Sequence, residues 1–257
     1  MKRIMKTLAI ITGLLFAAMA MQAQTASLQG MVEQANQSYS SANYETAILE
    51  YESVINAGYE SAGLYFNLGN AYFKTNNIPA AILYYEKAGK LDPTDESIQF
   101  NIDLANSRII DKLEPLPQFF LKTWWKAARD TRNSDQWARL GIISFILLLI
   151  SAAVFIISTT ILTRKLSFWS GIVFLGIMAL SLIFSVSGYN EYSRHSSGIV
   201  FTPTVTVKSS PSENSVDLFV IHEGIKVFIN DQVEGWSEVR LANGNVGWIK
   251  NETYRPI

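Results

Sequence analysis

The chain has 257 residues, a formal net charge of −1 and no cysteine. The missing thiols exclude disulfides, thiolate metal sites, cysteine nucleophiles and lipid attachment through cysteine. The near-neutral total hides an uneven distribution: residues 28–112 carry about six more acids than bases. That argues against nucleic acid as a partner, which requires a basic face to displace counterions.

Lys2, Arg3 and Lys6 precede the apolar run TLAIITGLLFAAMAMQA, and polar sequence comes at once after it. This is the charged and apolar pattern of a secretory signal, too short for a comfortable span, and it assigns 1–23 to a signal peptide. Cleavage after Ala20 or after Ala23 remains open; only the first has small residues at both flanking positions. If uncut, the segment becomes an anchor, and the sidedness of the rest of the chain is unchanged.

From Leu28 the sequence repeats with a spacing of 34: Ala35 recurs as Gly69, Tyr39 as Phe73, Ala47 as Ala81 and Tyr51 as Tyr85. This period resembles the tetratricopeptide repeat, a helix–turn–helix unit. The second copy, 62–95, carries Tyr65, Leu68, Gly69, Tyr72, Ala81, Tyr85, Ala88 and Pro93 where the repeat wants them. The first copy, 28–61, departs with Gln34 in place of leucine and Tyr59 in place of proline. Small Gly69 and Ala81 let the two helices of a unit approach closely, and Pro93 closes the second helix after Leu91. Single repeats cannot cover their own apolar faces. Ile98, Ile102, Ala105 and Ile109, with Leu104 offset, recur at helical spacing and predict a capping helix within 95–112.

The resemblance implies a concave groove lined by Val32, Asn36, Tyr39, Phe66, Asn70, Phe73, Phe100 and Leu104, suited to an extended or helical peptide. Asn36, Asn67 and Asn70 could supply the amides of a grip on a C-terminal carboxylate. Val32, Phe100 and Leu104 stand where cations would be needed, so an apolar or basic peptide is the better expectation.

Pro115 and Pro117 interrupt the helical pattern and open a linker over 113–139. Within it, Phe120, Trp124 and Ala127 or Ala128 fall on one side of a helix, with Lys122, Lys126 and Arg129 on another. Aromatic rings and long cations favour the membrane–water boundary, so an interfacial helix is expected. A helix packing on the repeats fits the same pattern. Two charge-free apolar segments come next, 140–163 and 166–189, broken by Arg164 and Lys165. About 20 residues suffice to cross a bilayer core as a helix, which predicts a transmembrane hairpin turning at that pair. Gly176, Ser181, Ser185 and Gly188 are expected to allow close helix packing. The spans contain no ionisable residue, so ion or proton conduction by one chain is not expected. The positive-inside rule would place the basic segment 122–139 in the cytoplasm. The export signal places it outside, and we follow the signal: both soluble domains periplasmic, on a bacterial inner membrane.

After Gly198 the pattern changes to period two. Val205 and Val207 alternate, as do Val216, Leu218 and Val220, then Ile225, Val227 and Ile229, with Asn243-Gly244 closing a hairpin between Trp236–Leu241 and Val246–Ile249. The Ser-Pro-Ser turn, the His-Glu-Gly turn and the terminal Gly-Trp-Ile resemble the bacterial SH3 domain, covering 200–257. In wall hydrolases this fold can hold peptidoglycan, which the resemblance would assign here to Phe228, Trp236 and Tyr254. Trp248 is expected in the core of so small a domain.

The two histidines, His195 and His222, have no companions at metal-ligand spacing. No nucleophile elbow, phosphate loop or dinucleotide fingerprint occurs. No enzyme, cofactor or metal is expected. The fold class is multidomain: an all-α tetratricopeptide solenoid, a two-helix transmembrane hairpin and a small all-β SH3-like barrel. This order of modules, with NIDLANSRIIDKLEPLPQFF after the second repeat, resembles the BatE-like proteins of the Bat aerotolerance operon. That resemblance implies a membrane scaffold for protein partners, namely Bat membrane proteins with von Willebrand factor A domains and a MoxR-type ATPase. The role in oxidative-stress tolerance would be indirect. The runner-up is an envelope protein binding peptidoglycan or wall peptides through its SH3-like domain.

Overall fold

The computed structural model describes residues 27–114, 116–117, 119–193 and 197–257; the signal-peptide segment, Pro115 and His195 lie outside them. Five helices come first: α1 over 27–40, α2 Tyr44–Asn56, α3 Ala62–Lys74, α4 Ile78–Leu91 and α5 Glu96–Asn106. The repeat is visible in the backbone itself. Ala42 and Asn76, one period apart, both take positive φ (60° and 62°) between the helices of a pair. At each, the next amide reaches back to close the finished helix, Asn43 to Ser38 and Asn77 to Tyr72. Ser61, Asn77 and Asp95 then cap α3, α4 and α5 by accepting backbone N–H bonds.

Gly69 is where α3 and α4 cross most closely: a Cβ there would lie 2.6 Å from the Tyr85 ring. One cluster joins Ala35, Ala47, Tyr51 and Val54 to Leu64, Leu68 and Ala71. A second joins Ala81, Tyr85 and Ala88 on α4 to Ile98, Ile102 and Ala105 on α5. The capping helix is therefore present, but it stops at Asn106. Ile109, expected on its apolar face, lies beyond the helix and packs beneath Gly224 of the C-terminal domain.

Within the linker, α6 spans Phe120–Arg129 and has no buried side chain. Its Trp125 leans on Phe184, with ring centroids 5.0 Å apart. Helices α7 (Ser134–Ile157) and α8 (Ile161–Ser193) form an antiparallel hairpin, and both are long and apolar enough to cross a membrane. α7 starts on a capping box between Asn133 and Gln136, six residues before the charge-free stretch. The turn is Ser158–Thr160 rather than Arg164-Lys165, which sit in the first turn of α8. Hydroxyls decide this. Thr160 and Thr163 bond to each other and to the turn backbone, competing with helix continuation, while Arg164 Nε donates to the Ser158 carbonyl at 3.1 Å. Small residues hold the two helices together: Gly141 meets Ser181, Gly171 meets Ser151 and Leu148, and Gly188 meets Ser134. Gly176 faces open space instead and takes no part.

The C-terminal domain is a single antiparallel sheet of seven strands. They are β1 Ser197–Val200, β2 Thr204–Lys208, β3 Asp217–His222, β4 Lys226–Val233, β5 Trp236–Arg240, β6 Val246–Lys250 and β7 Tyr254–Pro256, in the order β3-β2-β6-β5-β4-β1-β7. β2, β4, β5 and β6 follow the predicted alternation, β3 inverts it, and β1 and β7 do not show it. All four β1 residues are buried, because β1 lies between β4 and β7 and also against α4. On β3 the inward residues are Phe219 and Ile221, set opposite Val207 and Val205. Leu218 and Val220 face outward on this edge strand, and Val216 lies exposed just before it. Trp248 is likewise on the outer face: its neighbours Gly247 and Ile249 point into the core.

The two water-soluble lobes, expected as separate modules, form one packed body. Ile199 and Ile257 join the α4–α5 core. Lys226 pairs with Glu86 at 2.6 Å, and Asp111 accepts from the His222 backbone N–H at 2.6 Å while its other oxygen lies 2.9 Å from Nδ1. The linker takes part too, with the Leu116 N–H donating to the Ala242 carbonyl at 3.1 Å. α4 is apolar nearly all round for this reason: α3, α5 and the β domain each cover one side of it.

Candidate interaction groove

The face opposite the β domain belongs to α1, α3 and α5, and it is organised by asparagines. Asn36 Oδ1 accepts from the Tyr51 hydroxyl at 2.7 Å and from Asn67 Nδ2 at 3.0 Å. One period later Asn70 Oδ1 accepts from the Tyr85 hydroxyl at 2.8 Å and from Asn101 Nδ2 at 3.1 Å. Each triad ties the first helix of one unit to the second helix of that unit and to the first helix of the next. Asn101 is not among the residues expected in the groove, yet it is Asn67 plus 34, and the same spacing links Tyr51 to Tyr85. The Nδ2 groups of Asn36 and Asn70 have no partner among the described residues, so each triad retains a donor for a ligand carbonyl.

Around the triads, Val32, Tyr39, Phe66 and Phe73 are half-buried. Phe66 tilts against Tyr85 with ring centroids 5.8 Å apart. Phe100 and Leu104 on α5 are exposed, at 66% and 37%. Arg108 stands over the Phe73 ring at 5.0 Å, a cation absent from the expected lining. It adds one positive group at the α5 end, beside amide N–H donors and exposed apolar side chains.

Residues 62–95 match the tetratricopeptide repeat model. That repeat is a protein-interaction scaffold, and the pair α1–α2 before it and the single helix α5 after it extend the same geometry. No curated protein matches the chain.

Burial shapes the titration of the triads. It holds the Tyr51 phenol well above its ordinary range, to about 12, and pushes the Tyr85 phenol up as well; outside the triads, burial and the Glu52 carboxylate raise Tyr72. The folded repeats keep protons that the unfolded chain releases near pH 10. Their stabilisation is complete below that pH and is lost as the pH rises towards the folded value. Thermal melts by circular dichroism are expected to show the helical transition weakening between pH 9 and 11.5, by about 2 kcal/mol from Tyr51 alone. An unchanged transition would mean that burial does not hold these phenols protonated.

The three residues expected to form a β-domain ligand surface do not come together. Tyr254 is a core residue, 7% exposed, whose hydroxyl meets Ser237 at 2.8 Å and Gln232 at 2.9 Å. Phe228 is opposite Arg240 and Trp236 is opposite Val233, at different ends of the β4–β5 pair. Phe228 carries Lys226 and Arg240 near its ring and faces the junction with α6 and α8.

Proposed function

We propose that the protein is a membrane-tethered scaffold whose repeat groove binds an extended segment of a partner protein, with Asn36 and Asn70 donating to its backbone and Phe66, Phe100 and Leu104 taking its apolar side chains. One observation carries this reading. The β domain and the hairpin meet the repeats chiefly at α4 and leave Phe100 and Leu104 uncovered. Docking of the β domain on the repeats requires both lobes on one side of any bilayer that α7 and α8 cross. The basic start of the chain and its apolar run favour the periplasmic side of an inner membrane. The resemblance to BatE-like proteins supports a place beside Bat membrane proteins with von Willebrand factor A domains and their MoxR-type ATPase. Any contribution to aerotolerance then comes through assembly.

The test is co-purification of partners with the tagged full-length chain and with a Phe100→Asp, Leu104→Asp variant. Central apolar anchors typically contribute about 2 kcal/mol or more, so recovery of specific partners is expected to fall about tenfold or more while the helical signal stays intact. Equal recovery would remove the groove as the gripping surface. Point substitutions suit this better than deleting the repeats, because deletion would also uncover Ile199 and Ile257.

A further inference from the structure

Where the repeats, α6, the hairpin and the β domain converge there is a cleft of about 750 Å³. Its floor is apolar: Trp125 and Trp137 both rest on Phe184 (5.0 and 4.9 Å between centroids), with Ile98 and Ile102 behind. Its rim is charged, and the charges are unevenly satisfied. Four carboxylates line it, and each is already engaged. Glu86 pairs with Lys226 and Asp130 with Arg129; Asp92 accepts from Thr94 and Asp95 caps α5. Of the cations on the rim, Lys122 and Lys126, one helical turn apart on α6, and Arg132 have no ion-pair partner among the described residues. Arg132 instead stands 5.8 Å from the Trp137 ring. Counting the six lining cations against the four carboxylates leaves the cleft a net charge of about +2 beside an aromatic floor.

Its depth along the hairpin is equally telling. Trp137 lies three residues before the first apolar stretch begins at Leu140, and Phe184 and Gly188 lie near the end of the second. At 1.5 Å per residue this places the cleft within roughly 10 Å of the apolar band, the depth of lipid headgroups. A basic, aromatic-floored pocket at that level suits an anionic phosphate with an acyl chain leaving along α8.

From this we infer that the cleft is a binding site for an anionic phospholipid headgroup: Lys122, Lys126 and Arg132 hold the phosphate, and Trp125, Trp137 and Phe184 cover its glycerol and upper acyl carbons. A bound lipid of this kind would brace α6 against the hairpin and so set the height of the repeats above the membrane. The inference rests on the reading of α7 and α8 as membrane spans, and that reading is tested first. The full-length protein is expected to stay with membranes through alkaline carbonate extraction, and release into the supernatant would overturn the spans themselves. Detergent-purified full-length protein is then mixed with equal phosphatidylglycerol and phosphatidylethanolamine, and the lipid retained is measured by native mass spectrometry. Retention of phosphatidylglycerol at least about tenfold over phosphatidylethanolamine is expected, falling to within about twofold in a Lys122→Gln, Lys126→Gln, Arg132→Gln variant whose membrane retention is unchanged. No headgroup preference in the wild-type protein, or an equal preference in the variant, would overturn the site while leaving the spans standing. Inorganic phosphate at millimolar concentration is expected to raise the melting temperature less than phosphatidylglycerol does; an equal rise would reassign the cleft to a free anion.

Discussion

Replacing Gly69 with valine is expected to destabilise the repeat domain by about 3 kcal/mol or more, as an overpacked core does. Any Cβ at this position would sit 2.6 Å and 2.7 Å from two atoms of the Tyr85 ring. The ring cannot swing away: Tyr85 is 2% exposed, and its hydroxyl is held by Asn70, which also holds Asn101. Moving the ring breaks a triad joining three helices, so the damage reaches α5 and with it the groove. The matching control is Gly63→Ala on the same helix, where an added Cβ meets nothing within 4 Å. That change removes a helix-weakening residue and is expected to leave the melting temperature unchanged or raise it by about 2 °C. Circular dichroism melts of both proteins in the same detergent are the measurement. Equal stability of the two would show that α3 and α4 do not cross at Gly69.

Replacing Gly224 with valine is expected to separate the β domain from the repeats. Two costs coincide there. Its φ of +86° strains any side-chain-bearing residue, by about 1–2 kcal/mol, and a Cβ would lie 2.5 Å from Ile109 Cγ2, at the centre of the contact with the repeat region. Gly235→Ala isolates the first cost, because Gly235 has a nearly identical φ of +84° and open space around it. The chain has no cysteine, so single cysteines introduced at exposed Thr46 and Asn214 can carry a donor and acceptor dye without background. Energy transfer is expected to change at least about twofold with Gly224→Val and to keep its wild-type value with Gly235→Ala. Unchanged transfer with Gly224→Val would mean that the lobes are held by the polar contacts alone, through Asp111–His222 and Glu86–Lys226.

The elements legible in the sequence are those whose cause is local. A 34-residue spacing of small and aromatic positions forecasts paired helices because each unit must solve the same close-approach problem, as Gly69 and Ala81 do. Two long charge-free segments forecast two long apolar helices, and period-two alternation from Val205 to Ile249 forecasts strands. The misplacements have local causes too. The hairpin turns at Ser158–Thr160 because hydroxyls bond the turn backbone, a signal outweighed in the sequence by the more conspicuous Arg164-Lys165 pair. β1 gives no periodic signal because a strand buried on both faces shows no alternation.

The groove is legible in part. Periodicity points to Asn36, Phe66, Asn70 and Phe100, but it marks the asparagines only as ligand contacts. Their carbonyls are consumed in binding tyrosines and neighbouring asparagines, and only the pairing of residues 31 positions apart, Asn36 with Asn67 and Asn70 with Asn101, reveals that. On the β domain, Tyr254 reads as available and is a core residue, since whether an aromatic points in or out depends on which strand it pairs with.

By itself the sequence determined the kinds of element, their order and the repeat, because hydropathy period and turn chemistry act over a few residues. Tertiary structure alone decided that the two lobes form one body. Asp111 meets His222 and Glu86 meets Lys226 across more than 100 residues of chain, and the gathering of Lys122, Lys126 and Arg132 around one cleft with Trp125, Trp137 and Phe184 exists only once those elements are brought together. Such complementarity belongs to surfaces brought together in space, and no pattern along the chain encodes it.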